Sequence, residues 1–153
     1  YFRQMTKTRI VHVPYKGGGA AIADLLSGRI QLYMSPGPLV MSHVKAGKLR
    51  ALGVTSEQRA SAMPDVPAIT ELVPGYAAAF PYGMGASGGT PRQIIVKLNE
   101  TLGRILKEPE VVARLRAGGN EPAHTSPEAY ARATQQDIAK WKRVVKEGNI
   151  KVQ

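Results

Sequence analysis

Two textures of apolar and polar residues alternate along this chain. Three short β-rich apolar runs, Ile10–Tyr15, Ile30–Met34 and Leu49–Thr55, are separated by stretches whose apolar residues fall at helical spacing. Ala20–Ser27 carries Ala21, Ile22, Leu25 and Leu26 on one stripe, and Leu39–Ala46 follows the second run in the same way. Gly28 and Gly47 stand where a helix stops by adopting a left-handed residue. The two units end alike, Ser-Gly-Arg-Ile and Ala-Gly-Lys-Leu. Strand, loop and helix twice over, then a third strand, predict a βαβαβ unit. Connections this short imply a right-handed, parallel arrangement and an α/β fold.

After residue 55 the texture changes. Pro64, Pro67 and Pro74 break Ser56–Pro74 into a long ordered crossing in which Ala68–Val73 is expected as a short helix. Ala77–Ala86 is apolar and expected as a strand, with Gly83 and Gly85 marking a bend or a close backbone approach. The last third reads as helical. Thr90-Pro91 is expected as an N-cap followed by Pro at the first helical position, ahead of a stripe of Ile94, Ile95, Leu98, Leu102, Ile105 and Leu106. A helix from Pro109 is stopped by Gly118-Gly119, a strand is expected at Asn120–His124, and Ser126-Pro127 repeats the cap. The final helix carries Tyr130, Ile138, Trp141, Val144 and Val145 on one face, up to Gly148.

A length of 153 residues suits one domain or parts of two. No apolar run approaches the roughly 20 residues that a membrane-spanning helix needs. Cysteine is absent, which removes disulfides and thiolate metal ligands. The formal net charge of +10 raises nucleic acid, a membrane surface or anionic ligands as partners. The basic residues are scattered, however, and the densest run, Lys140–Lys146, is interrupted by Trp141, Val144 and Val145. That is the pattern of a solvated helix face, so no nucleic-acid partner is expected. Tyr1–Thr6 reads as the last turn of a helix entered midway, so the chain is expected to carry part of a larger protein.

The strongest candidate chemistry lies in Tyr15-Lys16-Gly17-Gly18-Gly19. A glycine loop that leaves a strand and opens a helix gathers free N–H donors at a positive dipole end, which suits an anion or a carboxylate. The run lacks the phosphate-loop spacing, and Ile22 stands where the dinucleotide fingerprint has its third glycine. A plain tight turn is the other reading. Ser35-Pro36-Gly37 is the matching loop one unit later, and in a parallel sheet both loops leave the same edge. Gly85-Ala86-Ser87-Gly88-Gly89 fits the G-x-S-x-G pattern of a nucleophile elbow. The triad order required downstream is missing, because His124 precedes Asp137. His12, His43 and His124 sit singly, without ligand spacing, so no metal and no cofactor are expected.

The run Val13-Pro14-Tyr15-Lys16-Gly17 with Asp24-Leu25-Leu26 and Gly28 resembles the tripartite tricarboxylate transporter substrate-binding proteins, the Bug-type extracytoplasmic receptors. The resemblance continues through Gly47-Lys48-Leu49-Arg50-Ala51-Leu52, Val54-Thr55-Ser56, Pro64-Asp65-Val66-Pro67 with Glu71, Gly89-Thr90-Pro91, Leu98-Asn99 and Lys140-Trp141. It is a resemblance to the C-terminal half of the family. It implies a periplasmic-binding-protein-like, type II fold, here incomplete. Residues 1–75 would be the βαβαβ part of the second lobe, 76–90 a crossing near the hinge, and 91–153 the helical part that packs on the first lobe.

The function implied is capture of a small carboxylate in the periplasm, without chemistry, and delivery to the membrane components of the transporter. The expected ligand-binding residues are Tyr15, Lys16, Gly17, Gly18 and Gly19 on one wall and Ser35, Pro36 and Gly37 on its neighbour. Tyr82 and Gly83 are expected near the crossing between lobes. Three positions depart from the family pattern: Ser35 replaces a common acidic residue, Pro81 a common Trp, and Ala86-Ser87 an Ala-Pro pair. A chain carrying half of such a receptor is expected to bind weakly or not at all, and to pair with another copy or with its missing half. Two other classes remain open at this point. One is the ligand-sensing domain of a transcription regulator with the same fold; the other is a serine hydrolase built on Ser87.

Overall fold

Most helices in the described residues stop at a residue that turns left-handed. The computed structural model describes residues 1–150. Its helices are α1 (Phe2–Thr6), α2 (Gly18–Leu26), α3 (Gly37–Lys45), α4 (Arg92–Ile105), α5 (Pro109–Ala117) and α6 (Pro127–Glu147), with a 3₁₀ turn at Ile69–Glu71. At the end of α2, Gly28 has φ +76°. Its N–H bonds the Leu25 carbonyl, and the Arg29 N–H reaches back to Asp24 at 2.9 Å. This pair of bonds satisfies two carbonyls that the helix would leave bare. Gly47 at φ +68° does the same for α3, with Lys48 reaching His43, and Gly119 at φ +80° for α5, with Asn120 reaching Leu115. The paired endings seen in the sequence are therefore two copies of one stop. At α6 the left-handed residue is Asn149, φ 47°, while Gly148 keeps an ordinary φ of −81°. Among the described residues no helix is long and apolar enough to cross a membrane.

Two compact units form. One comprises Arg9–Pro81 with Val112–Pro122; the other comprises Tyr1–Thr8, Tyr82–Val111 and the chain from Ala123. In the first, α2 packs on α3, and Ala21, Ile22, Met41, Ala68, Tyr76 and Ala78 are buried. The crossing at 56–74 is ordered by one clasp. Arg59 donates from Nε and Nη2 to the two Glu71 oxygens, each at 2.8 Å, and from Nη1 to the Pro64 carbonyl. Oε1 of Glu71 also accepts the Ala68 N–H at 2.8 Å. In the second unit Val144 is buried, Tyr1 meets Trp141 edge-on at 5.8 Å, and Gln4 donates to the Val144 carbonyl.

The expected strands do not build ladders. Ile10–Tyr15, Ile30–Met34 and Leu49–Thr55 run between the helices in the expected order. Yet among the described residues pairing is confined to one parallel bridge, Val54 to Ala68. Ala77–Ala86 and Asn120–His124 also lack a ladder, although the Ala78 N–H bonds the Thr55 carbonyl. A ladder needs a second backbone in register about 4.8 Å away. β-Rich composition states a preference for a pleated, half-buried surface and supplies no neighbour to make one. Val11 is accordingly 82% exposed and Leu52 62% exposed.

A second correction concerns α4. Pro91 is its N-cap, one position earlier in helix numbering than expected, and the Thr90 hydroxyl donates to the Ser87 carbonyl at 2.8 Å instead of capping. Ser126 caps α6 as expected, its Oγ accepting the Ala129 N–H at 3.1 Å.

Candidate functional site

Both expected loops lie in the unit that holds α2 and α3. Gly17 is the N-cap of α2, with an extended backbone at φ 178°, and Gly18 and Gly19 open the helix. Pro36 is the N-cap of α3 and Gly37 its first residue. Neither helix has a side-chain cap. The first-turn N–H groups of α2 have no intrahelical acceptor, so that end presents donors and a positive dipole end. At α3 the dipole is the same, but Pro38 has no N–H and the Leu39 N–H bonds the Pro36 carbonyl at 3.1 Å, so fewer donors are offered there.

The start of α2 approaches α3 at Gly18. A Cβ built there would stand 2.8 Å from Leu39 Cδ1 and 3.1 Å from the Tyr33 hydroxyl, so a larger residue at the start of α2 would push these side-chain tips aside. At Gly17 and Gly19 the space is open, with no atom within 4 Å of such a position. One glycine thus serves packing, and the other two keep the backbone bare. Gly37 is crowded from the far side by the carbonyls of Gly119 and Gly118, at 2.8 and 3.2 Å from a built Cβ. The turn after α5 therefore seats the second loop. Lys45 at the end of α3 donates to the Ala117 carbonyl at 2.9 Å and fastens the same two helices.

Tyr15 lies half-buried just before the glycine loop, and its hydroxyl donates to Asp24 Oδ2 at 2.9 Å. Arg29 Nη1 donates to the other oxygen at 3.0 Å. The Tyr15 bond, and after it the Arg29 bond, hold the Asp24 carboxyl below its usual range, and the carboxylate in turn pushes the Tyr15 phenol up. Lys16 is exposed, and no ion pair engages it among the described residues. Ser35 is half-buried, with its hydroxyl on the Pro36 carbonyl at 3.1 Å.

Tyr82 and Gly83 belong to the other unit. Tyr82 is 73% exposed, and a Cβ at Gly83 would overlap the Tyr130 hydroxyl, so the glycine admits that ring. Ser87 and Thr90 face each other at 3.3 Å in a turn that contains no acid or base. Tyr33, Leu39 and Asp24 are the residues that a reading of the loops alone passes over. The Asp24-Leu25-Leu26 run was visible, but its partner Tyr15 lies outside any helical spacing from it. An aromatic such as Tyr33 at the end of an apolar run reads as core.

Comparison with known proteins places this arrangement. The model of the tripartite tricarboxylate transporter family receptor matches residues 1–150. The BugT protein of Bordetella pertussis is 34% identical over 152 residues, covering 99% of this chain and 47% of its own. Among solved structures, Rpa4515 of R. palustris, determined with adipate, is 36% identical with a TM-score of 0.85, covering 95% of this chain and 49% of that one. MatC of Rhodopseudomonas palustris, with bound malate, is 28% identical with a TM-score of 0.73, covering 94% and 50%. The fold is an incomplete α/β, type II fold of periplasmic solute-binding proteins, and the chain spans about half the length of the relatives it matches. It belongs to the tripartite tricarboxylate transporter receptor family. That is a family of receptors, not of enzymes.

Proposed function

We propose that this chain supplies one wall of a carboxylate site in a periplasmic receptor that hands its ligand to the membrane components of a tripartite tricarboxylate transporter. The observation that carries the reading is the meeting of two uncapped helix starts, α2 at Gly18 and α3 near Leu39, within one unit. Backbone N–H groups at such starts recognise a carboxylate without a cationic side chain. The open space over Gly17 and Gly19 leaves room for it, and exposed Lys16 adds a nearby positive charge. Ser35, Pro36 and Gly37 form the neighbouring wall. Adipate and malate, found with the two solved relatives, support a small carboxylate as the ligand class.

The test is an NMR titration of the isotope-labelled chain with adipate and with malate. The amides of Gly17, Gly18 and Gly19 should shift, with an apparent Kd of about a millimolar or weaker, because one wall alone gives only part of the contacts. Shifts confined to other regions, or none at ligand concentrations well above that Kd, overturn the reading. Micromolar affinity overturns the half-site part of it. Pairing of two copies belongs to the same proposal. It is supported by apolar side chains left bare on α4 and α6, with Ile94 and Ile138 each 49% exposed. Light scattering at two concentrations checks it, and a mass that stays monomeric removes it.

A further inference from the structure

We propose that Asp24 is a positioning residue for the glycine loop: through Tyr15 it sets the chain's approach to Lys16–Gly19, and through Arg29 it sets the exit from α2. The proposal rests on the carboxylate-wall reading for its purpose, and on hydrogen bonds for its mechanism.

Asp24 joins three pieces of chain. One side-chain oxygen accepts from the Tyr15 hydroxyl at 2.9 Å, before the loop; the other accepts from Arg29 Nη1 at 3.0 Å, after the helix. Its main-chain carbonyl accepts the N–H groups of Arg29 and Ile30 at 2.9 and 3.3 Å. Both carboxylate oxygens are engaged and the Tyr15 hydroxyl is spent on one of them, so neither group faces a ligand directly. They act through the loop between them. Gly18 is seated beside Leu39 and Tyr33, but α2 has no side-chain cap and the space beside Gly17 and Gly19 is open. Glycine is also the residue whose backbone loses most freedom when ordered. The approach Lys16–Gly17 and the glycines that open α2 therefore depend on what fixes the chain on either side, and on the N-terminal side the fixing group is the Tyr15–Asp24 bond. The carboxylate is three-quarters shielded while Arg29 is largely exposed, which makes the Tyr15 contact the better protected of the two.

The experiment measures backbone order parameters of the labelled 153-residue chain, first without ligand, in wild type, Asp24→Asn, Tyr15→Phe and the double variant. Lys16–Gly19 should fall from the rigid range near 0.85 to below about 0.6 in each single variant. Because the two groups act through one bond, the double variant should be no looser than the looser single. The Ala78 amide, bonded to Thr55 in the same unit, should not change. An unchanged loop overturns the proposal, as does a loss of order at Ala78 equal to that in the loop. If Asp24→Asn does not fold, Tyr15→Phe decides by the same two readouts. Titration with adipate separates this idea from the one beneath it. If adipate leaves the wild-type loop amides unmoved while the variants loosen them, positioning stands and the carboxylate reading falls.

Discussion

Arg59 and Glu71 hold each other through two parallel hydrogen bonds, Nε to Oε1 and Nη2 to Oε2, each 2.8 Å long. The pair closes the long crossing between residues 56 and 74, and Ala68 is drawn into it through its own N–H. A bidentate guanidinium–carboxylate pair is both stronger and more directional than a simple contact of opposite charges. It explains how a stretch rich in proline and without strands keeps a definite path.

That pair makes the crossing sensitive to acid. The Arg59 bonds, and after them the Ala68 N–H, hold the Glu71 carboxyl at about 2, below its ordinary 4.5. A carboxyl with a lowered folded pKa stabilises fully above its unfolded value and loses that contribution as pH falls through the folded one. Between pH 4.5 and about 2 the crossing should therefore loosen, read as a falling protection factor against hydrogen exchange at Ala68, the measured rate divided into the intrinsic rate at each pH. Glu71→Gln should remove the pH dependence of that protection factor and leave it low across the window. A wild-type profile that stays flat from pH 4.5 to about 2 would refute the assignment.

The two loops of the candidate site should answer differently to one added methyl group. Gly37→Ala would drive its Cβ against backbone carbonyls of Gly119 and Gly118, which have no rotamer to escape into. It should cost about 1–3 kcal/mol, as overpacking does. Gly17→Ala meets open space on an extended backbone and should stay within about 0.5 kcal/mol of wild type. Urea unfolding midpoints of the two variants check this. The same Gly17→Ala chain should still lose adipate-induced shifts, since the methyl occupies the face offered to the ligand.

Helix endings were legible because they are local. Gly28, Gly47 and Gly119 each need a left-handed residue at one position, and glycine is the residue that takes it without a steric penalty. The same locality made the Ser126 cap readable, and the glycine loop opening α2 as well. What was not legible depends on partners distant in sequence. Tyr15 finds Asp24, Arg59 finds Glu71, and Gly37 finds Gly119 only after the chain has folded. The apolar runs at 10–15, 30–34 and 49–55 state a strand preference, but a ladder is a property of two backbones. Family resemblance reached further than periodicity because a series of weak motifs in order records those distant partners indirectly.

Gly103 offers a reversal of sign. Inside an exposed helix, replacing glycine by alanine stabilises by about 1 kcal/mol. Gly103 is buried in α4 under the ring of His124, whose Cε1 and Nε2 would lie 2.8 and 2.9 Å from a new Cβ. That ring is held by Asn99, whose carbonyl faces Nε2 at 3.1 Å while its side chain donates to the Thr125 carbonyl at 2.8 Å. Gly103→Ala should therefore destabilise this unit, and adding His124→Ala should restore the ordinary helical gain. Thermal melting followed by Trp141 fluorescence, the one tryptophan in the chain, reports on the unit concerned.

Two positions that look alike in sequence should part company on mutation. Ser126-Pro127 and Thr90-Pro91 both read as a capping residue followed by proline. Only Ser126 caps: its Oγ accepts the Ala129 N–H, and Pro127 begins α6. At the other site Pro91 itself occupies the N-cap, and the Thr90 hydroxyl turns back to Ser87. Ser126→Ala removes the acceptor from an orphan N–H and should cost about 1 kcal/mol, within the range of lost caps. Thr90→Ala removes only an exposed turn contact and should cost less than about 0.5 kcal/mol. Trp141 lies on α6, so urea titrations followed by its fluorescence compare the two variants directly. Equal losses would mean that proline after a hydroxyl residue, and not the side-chain bond, sets where these helices begin.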